Sequence, residues 1–335
     1  MLIEATPIVF DCPQNAKDAP GNILKLSVKR YCTLQSAGSP NGLTLLFAHC
    51  VGAHKEQWEP TIQRIFELRG AQVHEAWALD WQTHGDSAVL NQKLLETSPS
   101  RVYGVSASEW AEGIAAFLRS AHMHGKRIVA VGHSAGAGAM VLPTQEFSLT
   151  ALPYAALVLI EPTIITREHF YRNIDDRVAT MEFVVAATAA RRTRWRSREE
   201  AQAWLARRIP WDSWDARVVR LLSTQGLADE PGGGVVLKCA PNQEALAYAD
   251  TAPHFAAAEQ LGLIARAVPV HLVWASDSLV PDWVQDSFGD GSGGRVAAST
   301  ATIEGAHQIV QENPDAVADA ICAVLDTLRA LRPRL

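Results

Sequence analysis

Ile128-Val129-Ala130-Val131-Gly132-His133-Ser134-Ala135-Gly136 is the stretch on which the reading of this chain turns. Four apolar residues lead into G-x-S-x-G, and the small residues Ala137, Gly138 and Ala139 follow. An apolar run of this length fits a strand covered on both faces, and the run after Ser134 fits a tightly packed helix. Glycines flank the serine where a sharp strand-to-helix turn leaves no room for side chains. Such a turn forces the serine into a strained backbone conformation and lifts its hydroxyl above the sheet. The first N–H groups of the helix lack intrahelical acceptors and face an incoming anion. Ser134 is therefore the candidate nucleophile, with the N–H of Ala135 as a candidate oxyanion donor.

Outward from this turn the chain alternates strand and helix. Leu24–Cys32 reads as a half-buried strand, Leu43–Ala48 as a buried one, and Val73–Leu79 as a weaker third. Ala107–Ala121 carries apolar residues at helical spacing, Arg127–Gly132 is the strand of the motif, and Ala155–Ile160 is the next. Between Thr163 and Gln260 no clear buried strand is visible. Helical stretches stand there instead: Glu182–Ala190, Ser197–Arg208 (opened by a Ser-x-x-Glu capping box) and Ala216–Gln225. Strands resume at Val268–Trp274 and Ala297–Ile303, and Pro314–Leu331 closes the chain as an amphipathic helix. The pattern predicts an α/β fold with a mainly parallel sheet and helices on both faces. Residues 1–162 and 261–335 form the core, and 163–260 a helical lid inserted into it.

Composition excludes several classes. With 48% hydrophobic and 20% charged residues in 335, the chain is globular rather than disordered or fibrous. A net charge of −6 argues against a nucleic-acid binder, which needs a basic face. No apolar run approaches the ~20 residues that cross a bilayer. The first ten residues do not read as a secretory signal, so an intracellular setting is expected. Cys12, Cys32, Cys50, Cys239 and Cys322 are scattered, which fits a reducing compartment and neither a disulfide framework nor a zinc site. No cofactor or metal is expected.

A serine nucleophile needs a base and an oxyanion hole. His307 follows Thr302-Ile303-Glu304-Gly305-Ala306, a strand end and a small-residue turn, as the base does in this chain order. Phe47-Ala48-His49-Cys50-Val51-Gly52 ends an earlier strand in a form close to H-G-x-x-G, with cysteine in place of the first glycine. The second oxyanion donor is assigned to the N–H of Val51. Cys50 and His133 stand beside the site and are candidates for substrate contact. Asp80-Trp81-Gln82-Thr83-His84-Gly85-Asp86-Ser87 matches a D-x-x-x-H-G-x-S loop, whose role is read as structural. Two carboxylates compete to orient the histidine. Glu161 ends one strand in Leu159-Ile160-Glu161-Pro162, and Asp277 ends another in Trp274-Ala275-Ser276-Asp277. Sequence leaves them nearly even.

Taken together, these residues resemble a fungal subgroup of the α/β-hydrolase fold, the peroxisomal lipase-like and toxin-biosynthesis hydrolases, related to polyketide-pathway acyl-CoA hydrolases. The resemblance covers most of the chain. It rests on Ala48-His49-Cys50-Val51-Gly52-Ala53-His54-Lys55-Glu56 with Trp58-Glu59-Pro60, on Gly132–Gly136, on Leu159–Pro162, and on Gly291-Ser292-Gly293-Gly294-Arg295-Val296. It implies hydrolysis of an ester, thioester or lactone through an acyl-enzyme on Ser134. It also tilts the acid toward Glu161, because the subgroup often lacks an acid matching Asp277; this chain departs from it by having one. A carbon–carbon hydrolase of diketones would use the same residues, and a non-catalytic binding protein is the third alternative. An epoxide hydrolase or dehalogenase would want aspartate in place of Ser134.

Pro333-Arg334-Leu335 keeps the basic-then-leucine pattern of a peroxisomal tripeptide but opens on proline. It makes a peroxisomal import receptor a candidate partner, with a cytoplasmic setting as the alternative. The lid carries Trp195, Trp204, Trp211 and Trp214, and Arg191, Arg192, Arg194, Arg196, Arg198, Arg207, Arg208, Arg217 and Arg220 outnumber the acids Glu199, Glu200, Asp212 and Asp215. One reading is a solvated helix face over packed aromatics. The sharper one is a basic rim over an aromatic acyl pocket, with Trp211 and Trp214 touching an acyl substrate, CoA-linked in that case.

Overall fold

A computed structural model describes residues 2–37, 41–278, 280–289 and 291–330. Pro333-Arg334-Leu335 lies outside the described residues. Eight strands form the main sheet: β1 (Ile3–Asp11), β2 (Lys25–Thr33), β3 (Leu43–Ala48), β4 (Val73–Leu79), β5 (Arg127–His133), β6 (Tyr154–Ile160), and two later strands, β10 (Val270–Asp277) and β11 (Ser299–Ala306). Three short strands lie between the last two groups: β7 (Arg194–Trp195), β8 (Leu227–Asp229) and β9 (Val235–Leu237). The main sheet runs in the order β1-β2-β4-β3-β5-β6-β10-β11. β1 and β2 pair antiparallel with each other and β2 antiparallel with β4, and every pair from β4 to β11 is parallel.

The parallel strands read as near-continuous apolar runs because both faces are covered, and their alternation sorts side chains into two cores. Leu46, Ala130, Leu157 and Leu272 pack beneath the helix Ala107–Arg119 and Phe255. Leu45, Phe47, Val129, Val131, Val158 and Val273 face the other way, against Ile62, Phe66, Ile321 and Leu325 of the helices Glu59–Arg69 and Pro314–Ala330. Each helix supplies an apolar stripe that the sheet removes from water, at about 1.5–3 kcal/mol for each fully buried large side chain. Ser106 caps the helix Ala107–Arg119 in a reciprocal capping box with Glu109.

The register brings all the parallel strands to one edge. Ala48 pairs with Gly132, His133 with Ile160, and Asp277 with Ala306, so the residues that follow each strand meet at the carboxyl end of the sheet. The 163–260 segment contains helices Ile174–Ala189, Arg198–Leu205, Ala216–Gln225, Pro241–Ala249 and most of Ala252–Ile264. It also holds a small antiparallel sheet in the order β7-β9-β8, which the sequence reading did not anticipate. Ser197 caps Arg198–Leu205 by accepting the Glu200 N–H, while the Glu200 carboxylate turns instead to the N–H of Arg196. Among the described residues no helix is long and apolar enough to cross a membrane.

Candidate active site

One residue separates β5 from the helix Ala135–Val141, and it is Ser134, at φ 54° and ψ −117°. A side chain in this region carries strain on the order of 1–3 kcal/mol. Its N–H donates to the carbonyl of Ile160 at 2.9 Å, which fixes the turn against β6. The flanking glycines answer to close backbone approach. A Cβ on Gly132 would lie 2.6 Å from the Cα of Ala137, and one on Gly136 would lie 2.5 and 2.6 Å from the carbonyl oxygens of Ala48 and His49. Gly136 thus lets the helix start lie directly against the end of β3.

His307 leaves β11 on the same edge. Its Nε2 lies 3.0 Å from Ser134 Oγ, and its Nδ1 lies 3.1 Å from Glu161 Oε2. Glu161 is fully buried and sits at φ 47°, directly after β6. Its Oε1 accepts the Ala275 N–H at 2.7 Å, and its Oε2 also accepts the Ser278 hydroxyl at 2.6 Å. A buried carboxylate without partners is costly, and three donors here satisfy it. Asp277 stands apart. The register of β10 against β11 shifts between Ala275 and Asp277, and the Asp277 side chain faces solvent, accepting from Ser276 Oγ at 3.4 Å. Among the described residues it makes no hydrogen bond to His307. Ser278 and the Ala275 N–H were not foreseen, since only the folded backbone places them beside Glu161.

The turn bearing His307 is held on several sides. His133, read from sequence as a candidate substrate contact, is instead fully buried, and its Nε2–H donates to the carbonyl of His307 at 2.8 Å. Burial, helped by the neighbouring His307, pushes the His133 pKa down to about 3 and keeps the ring neutral. The Ala306 N–H donates to Glu312 at 2.7 Å, and Trp214 Nε1 donates to Gln308 at 2.8 Å.

The loop after β3 closes the site opposite His307. Among the described residues neither the Val51 N–H nor the Ala135 N–H has a protein acceptor. Cys50 is buried, with Gln311 Nε2 at 3.6 Å from its sulfur, and burial pushes its thiol up to about 12. A thiol so shifted stays protonated at neutral pH and is no nucleophile. Asp80 anchors the neighbouring loop. It accepts the N–H groups of Lys55 and Asp86 at 2.8 and 2.9 Å and pairs with Lys55 Nζ at 2.8 Å. A Cβ on Gly85, at φ 52°, would fall 2.5 Å from the Asp80 carboxyl carbon.

A cleft of about 490 Å³ opens from Cys50 and Val51 toward the 163–260 segment, which contributes Phe183, Trp211 and Trp214, while Gln308 closes it on the histidine side. Most of the arginines behind the basic-rim reading are paired with acids. Arg191 pairs with Glu244, Arg192 and Arg196 with Glu200, Arg194 with Glu230, Arg198 with Asp229, and Arg217 with Asp215 and Asp315. The partners Asp229, Glu230 and Glu244 lie further along the same segment than the acids weighed from sequence. Arg208 lines the cleft with its guanidinium 5.6 Å from the Trp204 ring centre.

Residues 45–320 match the sequence profile described as the Alpha/beta hydrolase family. No curated protein sequence matches the chain. Among solved structures, the peroxisomal α/β-hydrolase Lpx1 of Saccharomyces cerevisiae is similar at TM-score 0.76 and 17% identity, over 99% of this chain and 91% of that one. E-2-(acetamidomethylene)succinate hydrolase is similar at TM-score 0.66 and 19% identity, over 96% of this chain and 100% of that one. The thioesterase domain from the curacin biosynthetic pathway gives 0.65 and 16%, over 96% and 100%. At these identities the likeness speaks to the fold.

Proposed function

The chain belongs to the Alpha/beta hydrolase family, and from that premise we propose that it is a serine hydrolase cleaving an ester or thioester through an acyl-enzyme on Ser134. The observation that carries the reading is the hydrogen-bond chain from Ser134 Oγ through His307 to Glu161, at 3.0 and 3.1 Å. As Ser134 Oγ attacks the substrate carbonyl carbon, its proton passes to His307 Nε2 and the carbonyl electron pair moves onto oxygen. The N–H groups of Val51 and Ala135 receive that oxyanion. Glu161, accepting from Nδ1–H, holds the imidazole in the tautomer whose Nε2 is free and stabilises the imidazolium that forms. When the electron pair returns, the C–O or C–S bond breaks and His307 gives its proton to the leaving group. Water then repeats the sequence, with His307 as base, and releases the acid and Ser134.

The 163–260 segment is proposed as the lid, and its cleft as the acyl site, with Trp211 and Trp214 on the wall. Aromatic walls favour an apolar acyl group. The paired arginines leave a weak electrostatic case for CoA, so the thioester reading rests on the sequence resemblance to toxin- and polyketide-pathway hydrolases, and the curacin-pathway thioesterase domain is one protein in which this fold carries that activity. Similarity to the yeast peroxisomal hydrolase supports a peroxisomal site of action, which microscopy of the tagged full chain tests.

Labelling with a fluorophosphonate probe tests the chemistry. Wild type labels, while Ser134→Ala and His307→Ala do not; a wild type that is folded yet refuses the probe and every ester and thioester offered refutes the assignment. A panel of acyl-CoA thioesters against p-nitrophenyl esters of the same acyl chains, at low and high salt, separates acyl recognition from recognition of the anionic carrier.

A further inference from the structure

The N–H of Val51 belongs to a peptide unit whose other end is already held. His49 Nδ1–H donates to the Cys50 carbonyl at 2.7 Å, and the Ala53 N–H donates to the same oxygen at 3.2 Å. A trans peptide is planar, with C=O and N–H pointing opposite ways, so fixing the Cys50 oxygen fixes the direction of the Val51 N–H. The next peptide unit is held too: the Gly52 N–H donates to His84 Nε2 at 3.0 Å. Both units flanking the Val51 Cα are therefore tied to imidazoles.

The two histidines exchange partners between loops. His49 stands in the loop after β3 and accepts the Trp81 N–H, in the loop after β4, on its Nε2 at 3.1 Å. His84 stands in the loop after β4 and accepts from the loop after β3. β3 and β4 are neighbours in the sheet, so these loops leave it side by side. The partners dictate the tautomers: His49 carries its proton on Nδ1, and so does His84, which faces Thr83 Oγ1 at 2.9 Å. Each ring needs one donor and one acceptor nitrogen, and only the neutral form has both. Burial drives both pKa values down, that of His49 to about 3. The rings lie 5.3 Å apart, with His84 stacked on Trp81 and Trp81 on Trp110, in a place closed to water.

We propose that His49 and His84 are positioning residues for acyl transfer, clamping the peptide units on either side of Val51 so that its N–H faces the oxyanion before substrate arrives. The inference rests on the reading of Val51 as an oxyanion donor. Preorganised donors stabilise the transition state because they need no reorientation as charge develops, so a loosened peptide lowers kcat and leaves KM largely alone.

His84→Phe keeps an aromatic ring on Trp81 but removes the acceptor for Gly52, whereas His84→Gln offers an amide oxygen in its place. Each is assayed on a p-nitrophenyl ester, with sites counted by fluorophosphonate titration to completion, and with a trifluoromethyl ketone as the tetrahedral analogue. His84→Phe is expected to lower kcat per titrated site by about 10–100-fold with KM within about twofold, less than the loss of a whole donor. The ketone weakens by the same factor, and His84→Gln recovers most of both. His49→Phe, read in the same way, serves if His84→Phe yields no folded protein. A kcat per site and a ketone affinity both within about threefold of wild type, or a loss confined to KM, overturns the inference. Ser134→Ala keeps the two failures apart: if it turns over normally, the reading of the site is wrong, and if it is dead while the histidine variants are normal, only this inference falls.

Discussion

Replacing Glu161 with glutamine changes one oxygen for an amino group and little else, so its cost follows from the partners already described. The Oε1 position faces the Ala275 N–H at 2.7 Å. The Oε2 position faces Ser278 Oγ at 2.6 Å and His307 Nδ1 at 3.1 Å. An NH2 group at the first position sets two donors against each other in a fully buried place, a penalty of about 1–3 kcal/mol. At the second position the Ser278 hydroxyl can rotate to accept, and His307 adapts by presenting a bare Nδ1 and moving its proton to Nε2. That tautomer cannot take the proton of Ser134. A wrong-tautomer histidine costs about 10⁴-fold in kcat where the same exchange has been made in a serine triad, equivalent to about 5 kcal/mol of barrier. Glu161→Gln should therefore lose on the order of 10³–10⁴ in kcat, with a folded far-UV spectrum and KM little changed. Asp277→Asn, at an exposed position, should stay within about twofold of wild type. The assay is steady-state p-nitrophenyl ester hydrolysis per titrated site. Glu161→Gln retaining more than about a tenth of wild-type kcat, or Asp277→Asn losing more than about tenfold, refutes the tautomer argument.

Other parts of the molecule make their own demands. Gly136→Ala drives a methyl group to 2.5 Å from the Ala48 carbonyl, so the loop carrying Val51 must shift; kcat should fall by more than about tenfold and stability by about 1–3 kcal/mol in urea melts. Lys55→Ala strips a buried ammonium from Asp80, Glu56 and Asp86 at 2.8, 2.9 and 2.7 Å and should cost about 3–5 kcal/mol by the same melts, since it leaves buried carboxylates uncompensated. Burial alone raises the Glu56 carboxyl, but the His54 hydrogen bond and the Lys55 charge outweigh it and hold the pKa well below the ordinary 4.5. Its folded value lies beneath the unfolded one, so its contribution is present above the ordinary value and drains away as pH falls further. The thermal midpoint should drop from about pH 5 to pH 3, and Glu56→Gln should flatten that fall. The Cys50 thiol, pushed up to about 12, should resist maleimide at pH 7.5 in the folded protein and react after unfolding, as mass spectrometry reads directly.

The Ser134 turn was legible because its geometry writes itself locally: two glycines, a strand before and small residues after leave few other conformations. The buried strand Leu43–Ala48 was equally plain, since coverage on both faces demands an apolar run, whereas Val73–Leu79, broken by His74 and Glu75, read more weakly. β1 left no such trace. It lies at an edge, is mostly exposed and carries Pro7, so neither burial nor alternation marks it. β7, β8 and β9, at two or three residues each, are too short to show a period. What sequence could not rank was Glu161 against Asp277, because the difference lies in a register shift in β10 and a hydroxyl 117 positions from Glu161. The arginine-rich stretch left two readings open for a related reason. Its acids were sought nearby, whereas Arg191 finds Glu244 and Arg194 finds Glu230 across the folded segment.

That internal pairing bears on how such a chain changes over generations. Residues 163–260 carry as many acidic as basic side chains, and among the described residues two ion pairs leave the segment, Lys238 to Asp86 and Arg217 to Asp315. A block that brings its own counter-charges asks its host for few charged partners, yet an exchange between lineages would still have to match the sheet core at Phe170 and Phe255 and the hydrogen bond from Trp214 to Gln308.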